Sequence, residues 1–166
     1  EVDGAPVPTG QEYRLFRCWE GPSEVTVRLV MAAKLVQRPS GMYCADRGPL
    51  LFSLPIEARW KKLEYIRDGV ERKAPYCDYE LYPLSQWNYG FAGEKFTVGF
   101  GELGEYPFAP ETAPIWLETA MAEIPWETED GVCAPLPSAG TPGEPVTKRL
   151  IPYGCTNLRL TETIKL

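Results

Sequence analysis

The 166 residues of this chain carry a net charge of −6 and include no histidine. This length fits one domain, or a domain and a half, with a substantial core, and the 44% hydrophobic and 12% aromatic content argues against a disordered chain. The longest basic run is Arg59-Trp60-Lys61-Lys62, so nucleic acid is not an expected partner. Without histidine, Ser-His, Cys-His and His-metal catalysis cannot arise within this chain.

The first 45 residues predict paired strands. Asp3-Gly4 favours a type I′ hairpin turn, yet almost no strand precedes it. We therefore expect a piece of a longer protein, in which residues 1–45 complete a sheet begun by missing upstream residues. The segments QEYRLFRCWE (11–20) and SEVTVRLVM (23–31) alternate apolar and polar residues and predict two antiparallel strands joined across Gly21-Pro22. A short strand and a connection through Pro39 to Gly41 should follow.

The middle of the chain is rich in apolar and aromatic residues. PLLFSLPI (49–56) is a nearly continuous apolar run and predicts a strand covered on both faces. ARWKKLEYIRDG (58–69) leaves a strand and a single helical turn open, because its apolar residues fit both spacings. Residues 76–89 look aromatic and irregular, and EKFTVGF (94–100) predicts another strand.

The last third predicts a loop followed by two strands. Residues 127–145 are polar and rich in proline, which favours a long surface loop. TKRLIPYGCTNLRLTETI (147–164) then predicts two short strands. The total of eight or nine short strands predicts an all-β protein: a single antiparallel, jelly-roll-like β-sandwich domain over residues 1–166, with long irregular loops.

The five cysteines are odd in number, far apart in the sequence and without a CxxC pair (Cys18, Cys44, Cys77, Cys133 and Cys155). This pattern favours free thiols of a reducing compartment over a disulfide framework, and we expect a cytoplasmic protein. A three-cysteine zinc site is conceivable in three dimensions, but the spacing gives it no support. No metal or other cofactor is predicted, and no apolar run approaches the length of a membrane span.

Acidic residues alone do not identify an active site. A pair of carboxylates at the right separation can hydrolyse a glycosidic bond, and the chain offers many (Glu20, Glu57, Glu64, Asp78, Glu80 and Glu102 among them). With 23 acids in the chain, a chance pair is expected, and no spacing singles one out. We predict no catalytic residue.

Six aromatic residues fall within sixteen positions (Tyr76, Tyr79, Tyr82, Trp87, Tyr89 and Phe91). Large rings with polar tips commonly fill the rim of a sandwich core or its contact with a neighbouring domain, and we favour that interpretation. The alternative is a platform on which sugar rings stack. Its candidate carbohydrate-binding residues are Trp87, Tyr89, Asn88, Tyr79 and Trp60.

Several phrases of the sequence, in their order, resemble a known family. VDG, YRLFRCWEGPSEVTVRLVMAAKLV, DRGPLLFSLPI, YPLSQWNYGF and LIPYGCTNLRLTE are similar to the region after the catalytic barrel in glycoside hydrolase family 127-type proteins, formerly domain of unknown function 1680. Four stretches match the family pattern: Asp3-Gly4 for its Asn-Gly, Trp19 with Gly21 for its tryptophan and turn, Leu29-Val30-Met31 for Leu-Pro-Met, and Arg47-Gly48-Pro49-Leu50-Leu51 for Arg-Gly-Pro-Leu-Val.

The resemblance implies a β-sandwich that follows an α-helical toroid in a bacterial protein. In that family the toroid carries a cysteine nucleophile and cysteine and glutamate zinc ligands, and the best-known members cleave β-L-arabinofuranosides. None of those catalytic motifs has a counterpart in this sequence, so none of its cysteines is given a catalytic or metal role.

Two functions follow as expectations. The first is a non-catalytic accessory β-sandwich that supports the catalytic domain of the same parent chain or mediates assembly, including a homodimer through a sheet edge. The second is a carbohydrate-binding module for a plant-type oligosaccharide.

Overall fold

The structure is a computed structural model that describes residues 1–8, 10 and 12–166. The protein consists of two compact units, Glu1–Ala32 and Ala33–Leu166, each defined by contacts among its own residues. The sequence predicted one domain over these residues, and the two units are described in turn.

The first unit is organised around a tight turn at Asp3-Gly4. Both residues have positive φ, +46° and +80°, as a type I′ turn requires. The flanking Val2 and Ala5 exchange two backbone hydrogen bonds of 2.9 Å each. The predicted turn is therefore confirmed, and Val2 also forms an antiparallel bridge with Val27.

The prediction of two strands over residues 11–20 and 23–31 is wrong for those of these residues that the structure describes. Gln11 lies outside the described residues, and residues 12–31 contain only the single bridge at Val27. Leu29, which the alternation placed on an apolar strand face, is 71% exposed. Alternation favours a strand only where a neighbouring strand and a covering layer are present, since sheet propensity largely reflects that packing.

The second unit contains fourteen strands and one short 3-10 helix, Tyr153–Cys155, among the described residues. The strands are β1 (Ala33–Gln37), β2 (Tyr43–Arg47), β3 (Leu50–Pro55), β4 (Ala58–Leu63), β5 (Tyr65–Arg67), β6 (Val70–Arg72), β7 (Asp78–Pro83), β8 (Tyr89–Phe91), β9 (Thr97–Phe100), β10 (Ile115–Glu123), β11 (Thr128–Glu129), β12 (Val132–Cys133), β13 (Val146–Pro152) and β14 (Arg159–Leu160).

Eight strands form one main sheet. Six run in the order β1-β2-β3-β13-β10-β8, with β14 paired to β3 and β9 paired to β10, and all of these pairs are antiparallel. The sheet curls into a half-barrel. The all-β, antiparallel and sandwich-like fold class predicted from the sequence is confirmed. The apolar run at 49–56 forms β3, and EKFTVGF contributes β9.

The core of the second unit is built from alternating residues of these strands. In β10, Ile115, Leu117, Thr119 and Met121 are buried and the residues between them are partly exposed, which is the period of two that a half-covered strand shows. These side chains meet apolar residues from the other strands of the sheet (Ala45, Phe52, Leu54, Tyr89, Phe91 and Leu150).

Residues 159–166, which we call the closing segment, join two distant parts of the sheet. Arg159–Leu160 pair with β3, and Thr163 exchanges two backbone hydrogen bonds with Tyr43 of β2. Phe91 of β8 donates its N–H to the Ile164 carbonyl and accepts from the Leu166 N–H. The buried Thr163 hydroxyl also donates to the Tyr89 carbonyl at 2.6 Å. The segment thereby holds β8 to β2, although they stand far apart in the strand order.

Residues Ala58–Pro83 form what we call the arm. In it β4 pairs with β7 and β5 pairs with β6. The β5–β6 connection is Asp68-Gly69, both with positive φ. The arm settles the ambiguity of residues 58–69 in favour of strands. It also corrects the prediction of irregular structure over 76–89, because six of those residues are β7.

The predicted loop at 127–145 is confirmed except for one short hairpin. Thr128–Glu129 pair with Val132–Cys133 around Asp130-Gly131. No helix among the described residues has the length and apolar character needed to cross a membrane.

Candidate functional site

The arm presents two faces with different chemistry. Directly opposed residues of an antiparallel pair lie on the same face, so the register of β4 with β7 sorts the side chains. The first, the Trp60 face, contains Ala58, Trp60, Lys62, Tyr79, Leu81 and Pro83. The second, the Tyr82 face, contains Arg59, Lys61, Leu63, Asp78, Glu80 and Tyr82.

On the Trp60 face an indole ring is available to solvent. Trp60 is 50% exposed, and its ring meets that of Tyr79 edge-on, with centroids 5.6 Å apart and planes at 77°. This geometry is favourable for an aromatic pair. The Tyr79 hydroxyl lies 3.5 Å from the Pro75 carbonyl, at the outer limit of a hydrogen bond.

Lys62 stands two residues from Trp60 on the same face and opposite Tyr79. It is exposed, and no acidic side chain of the described residues lies within ion-pair distance of it. Glu64, the next residue in this alternation, instead accepts a hydrogen bond from the Ala74 N–H at 3.0 Å. The Trp60 face therefore combines an accessible ring with an unpaired cation.

On the Tyr82 face the polar groups bind one another. Glu80 accepts hydrogen bonds from the Tyr82 hydroxyl at 2.6 Å and from the Lys61 ammonium at 3.0 Å. The Tyr82 hydroxyl and then Lys61 hold the pKa of Glu80 below its ordinary value, and Glu80 raises the pKa of Tyr82. The Arg59 guanidinium lies over the Tyr82 ring at 4.8 Å. Glu80 is thus held ionised and is unsuited to donate a proton as a general acid.

Trp87, Asn88 and Tyr89 lie at the start of β8 rather than on the arm. The Asn88 side-chain amide donates to the Ile124 carbonyl and accepts from Gln86, and its backbone carbonyl accepts from the Ile124 N–H at 2.9 Å. These bonds tie the segment to the end of β10 and occupy the amide that a sugar would need.

The rings of this segment pack against protein. Tyr89 is 8% exposed, with the Lys148 ammonium 4.1 Å from its ring centroid. The half-buried Trp87 tilts against the buried Trp126 at 5.6 Å. Of the five residues proposed as a carbohydrate platform, the structure places the half-exposed Trp60 beside the half-buried Tyr79 on the arm and engages Trp87, Asn88 and Tyr89 in packing.

A second open surface lies on the main sheet. An apolar cavity of about 470 Å³ is bordered by β3, the loop 101–114 and the 3-10 helix, and we call it the apolar groove. Its most exposed side chains are Leu103 at 77% and Phe108 at 79%. Leu50 and Tyr153 also line it.

Hydrogen bonds hold the loop that carries Leu103 and Phe108. The Gly101 N–H donates to the Pro114 carbonyl at 2.8 Å, which closes the ends of the loop. Inside it, the Thr112 hydroxyl donates to the Tyr106 carbonyl, and the Cys155 thiol contacts the Pro107 carbonyl at 3.4 Å. The exposed apolar side chains therefore sit on an ordered loop whose ends are close.

The cysteines offer no reactive centre in the core. All five are free, and Cys44, Cys77 and Cys155 are buried. Burial, followed by the charge of Asp46, raises the pKa of Cys44 to about 11, and burial raises the pKa of Cys155. Such thiols stay protonated near neutral pH and are poor nucleophiles. The described residues contain no group of three or more Cys, Asp or Glu placed to hold a metal ion.

Sequence reasoning missed the apolar groove and Lys62. The signal for the groove was the phrase GELGEYPFAPETAP, in which Leu103, Tyr106 and Phe108 interrupt a glycine- and proline-rich loop with no strand pattern to bury them. Lys62 was noticed only as part of a short basic run, because its position beside Trp60 depends on the pairing of β4.

Comparisons of this chain with family models, with curated proteins and with solved structures found no match.

Proposed function

We propose that this chain is a non-catalytic accessory β-domain of a glycoside hydrolase-like protein, and that its apolar groove packs against the catalytic part of that protein. The observation that carries the proposal is the ordered loop 101–114, with Leu103, Tyr106 and Phe108 each more than 70% exposed. Large apolar side chains grouped on an ordered surface are typical of protein contacts.

The charge pattern adds a property of the proposed partner face. Between residues 96 and 147 the sequence contains nine acidic residues and no lysine or arginine. Glu102, Glu105 and Glu111 fall within the loop itself. A partner surface with apolar pockets and a rim of lysine or arginine would be complementary.

The chemistry of the described residues supports a role without catalysis. Burial raises the pKa of Cys44 and of Cys155 and keeps both thiols protonated, Glu80 is kept ionised, and the sequence has no histidine. The type of parent protein, a bacterial β-L-arabinofuranosidase-like hydrolase, is proposed from the sequence resemblance. A cytoplasmic location is supported by the five free cysteines.

The proposal includes self-association through a sheet edge. The edge strand available for this pairing is β1, the outermost strand on one side of the main sheet.

The test mixes this chain with the separately produced catalytic part of its parent protein. Isothermal titration calorimetry measures the affinity between the two. Leu103→Asp and Phe108→Asp should each weaken the complex by more than about tenfold, because a buried hot-spot side chain contributes more than 1 to 2 kcal/mol. Leu136→Asp is the matched control, since Leu136 is exposed in the 127–145 loop. A parent protein that kept full activity and stability after deletion of these 166 residues would refute the proposal.

A second candidate function is carbohydrate binding by the arm. It is favoured by the half-exposed Trp60 with Tyr79 packed at its edge, an arrangement that leaves part of the indole surface open for a sugar ring. Trp87, Asn88 and Tyr89 are left out of this second proposal because they are engaged in packing.

A further inference from the structure

We propose that the Trp60 face of the arm binds oligosaccharides that carry carboxylate groups, with a sugar ring stacked on Trp60 and a carboxylate paired with Lys62. The inference rests on the second candidate function, the binding of a carbohydrate by the arm, and adds the chemical class of the ligand. It assigns Lys62 as the residue that selects an acidic sugar.

The spacing of the two groups fits one sugar unit. Residues i and i+2 of a strand stand on one face and are separated by about 6.6 Å along it. At that separation, a ring stacked on Trp60 brings a substituent of that ring, or of its neighbour, within reach of the flexible Lys62 side chain. Tyr79, opposite Lys62 and edge-on to Trp60, bounds the site.

The one charged side chain among the β4 and β7 residues of the Trp60 face is Lys62, and its charge favours an anionic ligand. The arm, residues 58–83, contains six Lys or Arg and five acids, although the whole chain carries a net charge of −6. Ion pairs engage Lys61 with Glu80, Arg67 with Asp68 and Lys73 with Glu71. Lys62 is outside these pairs, on the same face as the open indole. A carboxylate is the complementary group for an unpaired ammonium.

The arm also has the form of a ligand-binding element. It is a two-stranded ribbon with many exposed side chains. The alternative partner is an acidic protein surface, such as that of a second copy of this chain. Such a surface could pair with Lys62, but the exposed Trp60 ring beside the cation would have no role in that contact. A half-exposed indole next to a cation favours a ring-shaped ligand with a carboxylate.

The test uses the full chain and three trisaccharides: trigalacturonate, its methyl ester, and neutral arabinotriose. Binding is measured by isothermal titration calorimetry and by the NMR shift of the Trp60 indole N–H, which is assigned from Trp60→Phe. We expect trigalacturonate to bind saturably and the ester to bind up to about fivefold more weakly, which is the gain that an exposed ion pair gives.

Matched variants separate the ring from the charge. Trp60→Ala should weaken the binding of trigalacturonate by more than about tenfold, which corresponds to the loss of more than about 1.4 kcal/mol of stacking free energy. Lys62→Gln should abolish the preference for the acid over the ester, and Lys62→Arg should keep it. Lys61→Gln, on the opposite face of the same strand, should leave the preference unchanged. Circular dichroism of each variant verifies that the fold is kept.

The outcomes that overturn the inference differ from those that overturn the function beneath it. Equal affinity for acid and ester, or a preference that survives Lys62→Gln, would overturn the role of the carboxylate and leave carbohydrate binding standing. No binding of any trisaccharide by the folded chain would overturn both. Self-association abolished by Trp60→Ala, in a chain that binds none of the sugars, would assign the face to a second copy.

Discussion

The main sheet and the arm use the same kinds of side chain in opposite ways. In the main sheet, Phe52 and Phe91 are almost fully buried and meet in one core. In the arm, Trp60 is half exposed and rests on one edge-on partner. The sheet is closed by a segment that joins distant strands, whereas the arm consists of two two-stranded sheets, β4–β7 and β5–β6.

This difference separates stability from binding. Burial of a large apolar side chain contributes about 1.5–3 kcal/mol, while a cross-strand pair on a ribbon contributes about 0.2–1 kcal/mol. The sheet can therefore supply the stability of the second unit, and side chains of the arm can change with little effect on it. A surface with that freedom is suited to ligand recognition, because rings left open to solvent stabilise the fold little.

The sharpest test of the comparison is Phe52→Ala. Phe52 is 1% exposed at the centre of β3, and its truncation should lower the free energy of unfolding by about 3–5 kcal/mol through lost burial and a cavity. Urea denaturation followed by far-ultraviolet circular dichroism measures it. Phe108→Ala is the matched control and should change stability by less than about 0.5 kcal/mol. Similar losses for both variants would contradict the assignment of the core.

A smaller effect is expected at the closing segment. Thr163→Val keeps the shape of the side chain but leaves the buried Tyr89 carbonyl without its hydrogen bond, which should cost about 1–3 kcal/mol. Hydrogen exchange at the Phe91 amide, which donates to the Ile164 carbonyl, should accelerate. Thr147→Val, at an exposed site in β13, serves as the control. Unchanged exchange at Phe91 would show that the segment does not hold β8.

The smallest effect should come from Lys61→Met on the Tyr82 face. The ammonium helps to lower the pKa of Glu80, so the stability that it adds is present above the unfolded glutamate pKa of 4.5 and is lost as the pH falls through the lower folded value. Wild type and variant should therefore differ most near neutral pH and converge in acid. Thermal unfolding from pH 3 to 7 measures the difference, and a gap that widens in acid would contradict this assignment.

The sequence predicts those parts of the fold that depend on residues adjacent in the chain. The apolar run 49–56 became β3, and Asp3-Gly4 became a tight turn. Two further Asp-Gly pairs, at 68–69 and 130–131, carried the same signal and close the β5–β6 and β11–β12 hairpins. The alternation in DYELYP was likewise enough to predict β7, but the surrounding aromatic residues obscured it.

What the sequence could not provide is the partner of each strand. Val25 to Met31 alternate as well as any strand of the chain, yet only Val27 forms a bridge there. For the candidate site the limit is the same: Trp60 and Tyr79 are nineteen positions apart and meet because β4 pairs with β7. The five predicted residues are divided by their packing partners, and no local sequence pattern contains those partners.

The closing segment has a consequence for synthesis on the ribosome. Strands β1 to β13 can form only an incomplete sheet, because Thr163 supplies the backbone hydrogen bonds to β2, and Ile164 and Leu166 supply those to β8. These pairings join positions more than seventy residues apart, and such long-range contacts form late. The second unit should therefore reach its native state only after residue 166 has emerged from the exit tunnel, and a nascent chain halted before that point would expose the edge of β8 to chaperones.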